Sequence, residues 1–210
     1  MTSRIQLRRD TQTNWTAANP ILASGERAYE TNTGLSKIGD GTTAYNGLGY
    51  DGPDYFRLLA NGTAVGPAIS DFFASGAAAV AASAAYEFEF DISFLKTTAG
   101  TVTFTLVSSV APANLEATYA GTPVGGIATV GSRVTAGIVT STATAAALPV
   151  TGSLTTAVNH QYVIKGILET GASAGTFKLQ VTSSAGTITP LRGSIVKYKR
   201  LPQVNYGLFA

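Results

Sequence analysis

Cysteine is absent from the 210 residues, and histidine occurs once, as His160. Without cysteine there is no disulfide framework, no thiolate zinc site and no thiol nucleophile. A single imidazole excludes a two-histidine metal site within one chain, and any Ser-His-Asp centre would have to be built on His160. Charge is also sparse, at 12% of residues against about 25% in ordinary soluble domains, while 45% are hydrophobic. The net charge of +2 sets up no field that would favour nucleic acid or an anionic membrane as a partner. No apolar run approaches the roughly 18 residues of a membrane span, because the Ala-rich stretch from Ala77 is broken by Ser83 and Glu87. The opening MTSRIQLRRD has no apolar segment after its charges, so no secretory leader is expected. Phosphate-binding glycine loops of the GxGxxG and GxxxxGK(S/T) types are missing too. The expectation is a protein made in a cytoplasm, with no cofactor, no metal, no nucleic acid and no membrane.

What is present divides the chain. Twelve charged side chains fall in the first 57 residues, whereas residues 97–158 hold only Glu116 and Arg133. The N-terminal region places turn chemistry every five to ten residues, at Asn19-Pro20, Ser24-Gly25, Thr33-Gly34, Asp40-Gly41, Asn46-Gly47 and Asp51-Gly52-Pro53. Only short strands and brief helical pieces fit between them, including a hairpin of Glu26–Thr31 and Leu35–Ile38 around Asn32-Thr33-Gly34. Residues 58–85 pass from Gly and Pro punctuation to Ala-rich sequence and read as a packed connector.

From Tyr86 the period becomes two. Tyr86, Phe88, Phe90, Ile92 and Phe94 alternate with Glu87, Glu89, Asp91 and Ser93, a strand with an aromatic inner face and an acidic outer one. Similar alternation follows at Val102–Ser108, Tyr162–Ile167 and Phe177–Val181, with further strand-like runs at Arg133–Thr140 and Gly193–Leu201. Short strands separated by Gly-rich turns predict an antiparallel sandwich or jelly roll. Recurring Phe104, Leu106, Ile127, Val134, Ile138, Val139 and Leu148 argue that the charge-poor stretch is ordered. Its scarcity of charge predicts a surface covered by another subunit or close to a symmetry axis.

Candidate sites are few. Glu87, Glu89 and Asp91 share one strand face about 7 Å apart, which suits a cation or a carboxylate pair, but a solvated face balanced by Lys165 or Lys178 is the reading preferred. His160 reads as a loop or interface histidine. Asp40-Gly41-Thr42-Thr43 reads as a turn. Arg4, Arg8 and Arg9, and Lys197, Lys199 and Arg200, form two basic clusters suited to salt bridges or to an acidic protein surface. Beyond Pro202, Tyr206, Leu208 and Phe209 form an apolar tail expected to dock on a neighbouring protein.

The segment RIQLRRDTQTNWTAANPILASGERAYETNTGLSKIGDGTTAYNGLGY, residues 4–50, resembles a module near the N-termini of bacteriophage fibre and structural proteins, related to the N-terminal domain of the major tropism determinant. The resemblance rests on Arg4, Ile5, Leu7, Trp15, Gly25, Tyr29, Ile38, Gly39, Asp40, Gly41 and Tyr45. It implies an intertwined β-rich homotrimer whose apolar positions make a shared interior. Residues 86–201 resemble the C-terminal half of structural proteins of cyanobacterial and other aquatic phages, through YEFEFDISFLKTTAGTVTFTL, VTGSLTTAVNHQYVIKG and LQVTSSAGTITPLRGSIVKYKRLP. That resemblance implies a trimeric jelly-roll knob similar to the tumour-necrosis-factor fold.

The expected organisation is therefore an all-β homotrimer: a trimerising or attachment module at 1–57, a connector at 58–85, a β-sandwich knob at 86–201 and an apolar tail at 202–210. The function expected first is a non-enzymatic capsid decoration or cement protein on the virion surface, bound to the major capsid protein or another virion protein. The alternative is a tail, neck or head fibre tip that binds a host surface glycan or protein through knob loops near Ala120–Ser132 or Gly171–Gly175.

Overall fold

A computed structural model describes residues 7–52, 54–74, 77–124, 135–149, 154 and 159–201. The chain divides into two compact units, Met1–Asp54 and Tyr55–Ala210. Among the described residues no helix is long and apolar enough to cross a membrane.

The N-terminal unit contains β1 (Arg8–Asp10), α1 (Gln12–Ala18), β2 (Arg27–Glu30) and β3 (Ser36–Ile38). β1 lies parallel to β2, and β2 pairs antiparallel with β3, giving the order β1-β2-β3. A parallel neighbour requires a crossover, and α1 supplies it. Thr11 starts the helix by accepting the Asn14 N–H on its hydroxyl, and Asn19 ends it in a left-handed conformation just before Pro20. The expected hairpin forms, closed by Gly34 N–H to the Glu30 carbonyl at 2.9 Å.

The second unit begins with β4 (Asp54–Arg57), β5 (Ser70–Asp71), β6 (Ala78–Val80), β7 (Ala85–Lys96), β8 (Val102–Ser108) and β9 (Pro112–Val124). It continues with β10 (Thr135–Ser141), β11 (Ala145–Pro149), β12 (Asn159–Thr170), β13 (Gly175–Ser183), β14 (Ile188–Pro190) and β15 (Ile195–Leu201). One sheet runs β10-β9-β12-β7-β15-β4, with β14 also on β7, and the other runs β11-β8-β13-β5, with β6 also on β13. Every strand pair described in these two sheets is antiparallel. The described residues are mostly β-strands in antiparallel sheets with little helix, consistent with the expected all-β class.

The two sheets enclose one core. The alternation read in β7 holds: Tyr86, Phe88, Phe90, Ile92 and Phe94 are all buried. They meet Phe104, Leu106, Phe177, Leu179 and Val181 from the opposite sheet. Aromatic rings dominate the contact, with Phe88 at 5.0 Å from Phe177 and Phe94 at 5.6 Å from Phe104, centroid to centroid. Tilted and edge-on pairs at such distances add to burial through their quadrupoles.

The region read as a connector is part of this sandwich. Phe72 and Phe73 are buried core residues, and Phe72 meets Phe94 and Phe104 edge-on. β5 and β6 line one edge of β13, and Val65 bridges Ile188. Gly and Pro punctuation separates short strands here that still pair with the sheet on either side of each turn. β9 is thirteen residues long, and its sequence carries little strand signal. Its inner positions include small Ala117 and Gly121, so the alternation that marks β7 is muted.

Two glycines permit close approaches in this sheet. A Cβ on Gly121 would lie 2.2 Å from the Tyr162 ring, and one on Gly166 would lie 1.9 Å from the Glu116 carbonyl oxygen. We expect Gly166→Ala to lower stability by about 2 kcal/mol through forced separation of β9 and β12, measured as a lower urea midpoint. Tyr198 provides the opposite case, since its buried hydroxyl has no hydrogen-bond partner among the described residues and burial pushes its pKa up. Tyr198→Phe should leave the same midpoint unchanged or raise it, because no bond is lost.

Candidate functional site

In the N-terminal unit the candidate residues separate onto two sides of one small sheet. Trp15 and Tyr45 are buried with Leu22 and Ala28 in the unit's own core, their rings stacked at 5.2 Å. The Trp15 indole donates to the Tyr29 carbonyl at 3.1 Å. These two rings are therefore taken from the shared interior that the resemblance implied. Leu7, Tyr29 and Ile38 instead remain 55%, 38% and 43% exposed. Alternation puts Tyr29 and Ile38 on the face opposite buried Ala28, Glu30 and Lys37. Arg4 and Ile5 lie outside the described residues, as do Tyr206, Leu208 and Phe209.

Gly25, Gly39, Asp40 and Gly41 build the turns that hold this sheet. Gly25 and Gly41 have φ of 80° and 84°, and a Cβ on Gly39 would lie 2.3 Å from the Ala23 carbonyl oxygen. Asp40 is a turn residue, as expected. Its carboxylate accepts from the Thr43 hydroxyl and from the backbone N–H groups of Thr43 and Thr42. Those bonds, the Thr43 hydroxyl foremost, hold its pKa far below the usual carboxylate range.

Sequence reasoning passed over the charge at the centre of the unit. Glu30 is fully buried and accepts hydroxyl bonds from Thr33, Tyr45 and Tyr50, the last at 2.9 Å. Lys37, also buried, donates to the Tyr45 carbonyl at 3.0 Å and lies over the rings of Tyr45 and Tyr50. Burial pushes the Glu30 pKa up, but the three hydroxyls and Lys37 outweigh it, leaving the pKa below normal. The available signal was Glu30 two residues after Ala28 on one strand face, with hydroxyl-bearing residues at the following turn.

On the sandwich, the outer face of the larger sheet carries the acidic row. Glu89 stands between Lys165 on β12 and Lys197 on β15, and Lys197 donates to it at 3.0 Å. Glu87 stands opposite Ile167 and Lys199 in the next row. A balanced face is found at Glu89, but its bonded partner is Lys197 and not Lys165 or Lys178. Lys178, named earlier as a balancing residue, belongs to the other sheet and pairs with Asp71 at 2.8 Å. Among the described residues no three His, Cys, Asp or Glu side chains are grouped to hold a metal ion.

His160 is corrected outright. It is fully buried in β12, stacked on Phe94 at 5.3 Å, because the strand begins at Asn159, three residues before the alternation that starts at Tyr162. Lys96 is a buried charge that the sequence reading missed. Alternation along β7 carries it inward after Phe94, where it donates to the Ser183 hydroxyl and, at 2.6 Å, to the Ala185 carbonyl. Burial pushes its pKa down.

Two adjoining hollows lie on the outer face of the larger sheet, with volumes of about 450 and 650 Å³. They share Thr118, Ile138 and Lys165. Of the loops expected to bind, Ala120–Ser132 lies in β9 as far as Val124 and outside the described residues from 125 to 132, while Gly171–Gly175 joins β12 to β13.

Residues 5–43 match the family described as the major tropism determinant N-terminal domain. A hyaluronoglucosaminidase of Streptococcus pyogenes phage H10403 is 36% identical over 58 residues, which is 28% of this chain and 17% of that protein. The two matches support a bacteriophage protein. Among solved structures, that of infectious bursal disease virus Gx strain aligns with 80% of this chain and 43% of its own at 14% identity, and its TM-score of 0.18 carries no argument.

The buried Glu30 gives the N-terminal unit a pH dependence. Its folded pKa is below the unfolded value of about 4.3, so its stabilisation is present above that value and is lost as pH falls through the folded pKa. Trp15, the one tryptophan, reports the unit by fluorescence. Glu30→Gln should lower the unit's stability by roughly 2 kcal/mol at pH 7 and flatten the acid side of its profile.

Proposed function

We propose that this chain is a virion protein of a bacteriophage that takes part in host attachment, acting by binding and without catalysis. The observation that carries the reading is the match of residues 5–43 to the tropism-determinant N-terminal domain. Capsid decoration, the first expectation from sequence, draws no specific support from that match. The phage hyaluronoglucosaminidase is consistent with a module shared among phage proteins of different activity.

The attachment protein is a homotrimer in this reading. Exposed Leu7, Tyr29 and Ile38 supply an apolar face beside Arg9 and Arg27 that a second and third copy would cover. The second unit is a jelly-roll knob in the same reading. Supporting it, β4-β15-β7-β12 and β5-β13-β8-β11 form two four-stranded sets, and consecutive strands repeatedly cross between the sheets. The hairpin of β9 and β10 extends the first set at its β12 edge.

Native mass spectrometry should give a mass of three chains, and a Tyr29→Glu, Ile38→Glu double variant should give one, with Trp15 emission unchanged as evidence of folding. A wild-type mass of one chain overturns the trimer. Quantitative mass spectrometry of purified virions should find the protein at a small fraction of the shell subunit. Abundance equal to the shell subunit would return the protein to decoration.

A further inference from the structure

The paired hollows cross the strands of the larger sheet as one furrow. Register fixes its make-up: Ile138 on β10, Thr118 on β9 and Lys165 on β12 are direct neighbours in one row. Glu116 and Ile167 are neighbours in the next row, and Ala120 and Val163 in the row on the other side. Rows are about 7 Å apart along a strand and neighbouring strands about 5 Å apart, so these groups face a common volume.

Their chemistry is mixed at close spacing. The carboxylates of Glu87 and Glu116 accept, the Lys165 ammonium donates, and the Thr118 hydroxyl, which donates to the Lys165 carbonyl at 3.4 Å, has lone pairs left to accept. Glu89, the register neighbour of Lys165, is bonded to Lys197, and Lys165 has no ion pair among the described residues. Between the polar groups stand the hydrocarbon surfaces of Ile138, 80% exposed, and Val163, Ile167 and Ala120.

These properties select among ligands. A nucleic acid or other polyanion would meet three carboxylates, Glu87, Glu89 and Glu116, with Lys165 as the one lysine lining the hollows. A protein partner anchored in the usual way would call for an exposed Trp, Tyr or Arg at the centre, where the row has Ile138, Thr118 and Lys165, and Tyr119, which lines the second hollow, packs against the core. An uncharged carbohydrate matches both halves of the furrow. Its hydroxyls give and accept hydrogen bonds, and its C–H faces pack on the aliphatic side chains of an open sheet face.

We propose that the furrow over β12, β9 and β10 binds an uncharged oligosaccharide, with Thr118, Lys165, Glu116 and Glu87 as its polar contacts and Ile138 as its apolar wall. This rests on the attachment reading for its biological setting and places recognition on the sheet face.

The test titrates the full chain with dextran oligomers, chito-oligosaccharides and, as the anionic comparison, hyaluronan oligomers, following backbone amide signals by NMR. Dextran or chito-oligosaccharides should shift Thr118, Ile138 and Lys165. Thr118→Arg and Ile138→Ala should each weaken that binding by about tenfold or more with an unchanged unfolding midpoint, since both side chains are at the surface. If none of the three sugars shifts these residues, if hyaluronan alone does, or if the shifts fall elsewhere, the proposal is overturned. Adsorption of the protein to host cells is measured in parallel. Cell binding that survives Thr118→Arg and Ile138→Ala unchanged overturns the furrow and leaves attachment standing. Furrow shifts with no binding to cells sustain the furrow and overturn attachment.

Discussion

The sandwich depends on one strand. β7 lies inside its sheet, hydrogen-bonded to β12 on one edge and to β15 and β14 on the other. Its inner residues are three phenylalanines, a tyrosine and an isoleucine, all at 9% exposure or less, with Lys96 buried at its end. Because side chains alternate strictly, a slip of one residue would bury Glu87, Glu89 and Asp91 and expose those rings, so the register of the whole sheet is fixed by this sequence. The outer face inherits its order from the same constraint. Glu89 meets Lys197 and Lys165 because Phe88 and Phe90 must face inward.

The N-terminal unit solves a different problem. Its core of Trp15, Leu22, Ala28 and Tyr45 is small, and burial of apolar area stabilises so short a segment weakly. A buried carboxylate is tolerated there because three hydroxyls and a lysine surround it, and removing one partner would leave a charge without compensation. Such a network ties the β2 strand to the turn after it and to Tyr45 and Tyr50, residues distant in sequence. The apolar residues left outside, Leu7, Tyr29 and Ile38, stay exposed.

Both units thus present a surface that follows from what their interiors demand. In the sandwich, the long and weakly marked β9 carries the furrow, bringing Thr118 beside Lys165 and Ile138. The Tyr162 ring over Gly121 and the contact of Gly166 with β9 let these strands approach closely enough to form it.

By itself the sequence determined the all-β character, the hairpin of the N-terminal unit, the direction of β7 and its relatives, and the turn role of Gly25, Asp40 and Gly41. These are local properties: a period of two and a positive φ are written in neighbouring residues. Tertiary structure alone decided that Phe72 and Phe73 are core residues, that His160 is buried, that Lys178 answers Asp71, and that Trp15 and Tyr45 part company with Tyr29 and Ile38. Each of those depends on which strand lies beside which. A partner more than 80 residues away, such as Lys197 for Glu89, leaves no trace in the residues around either one.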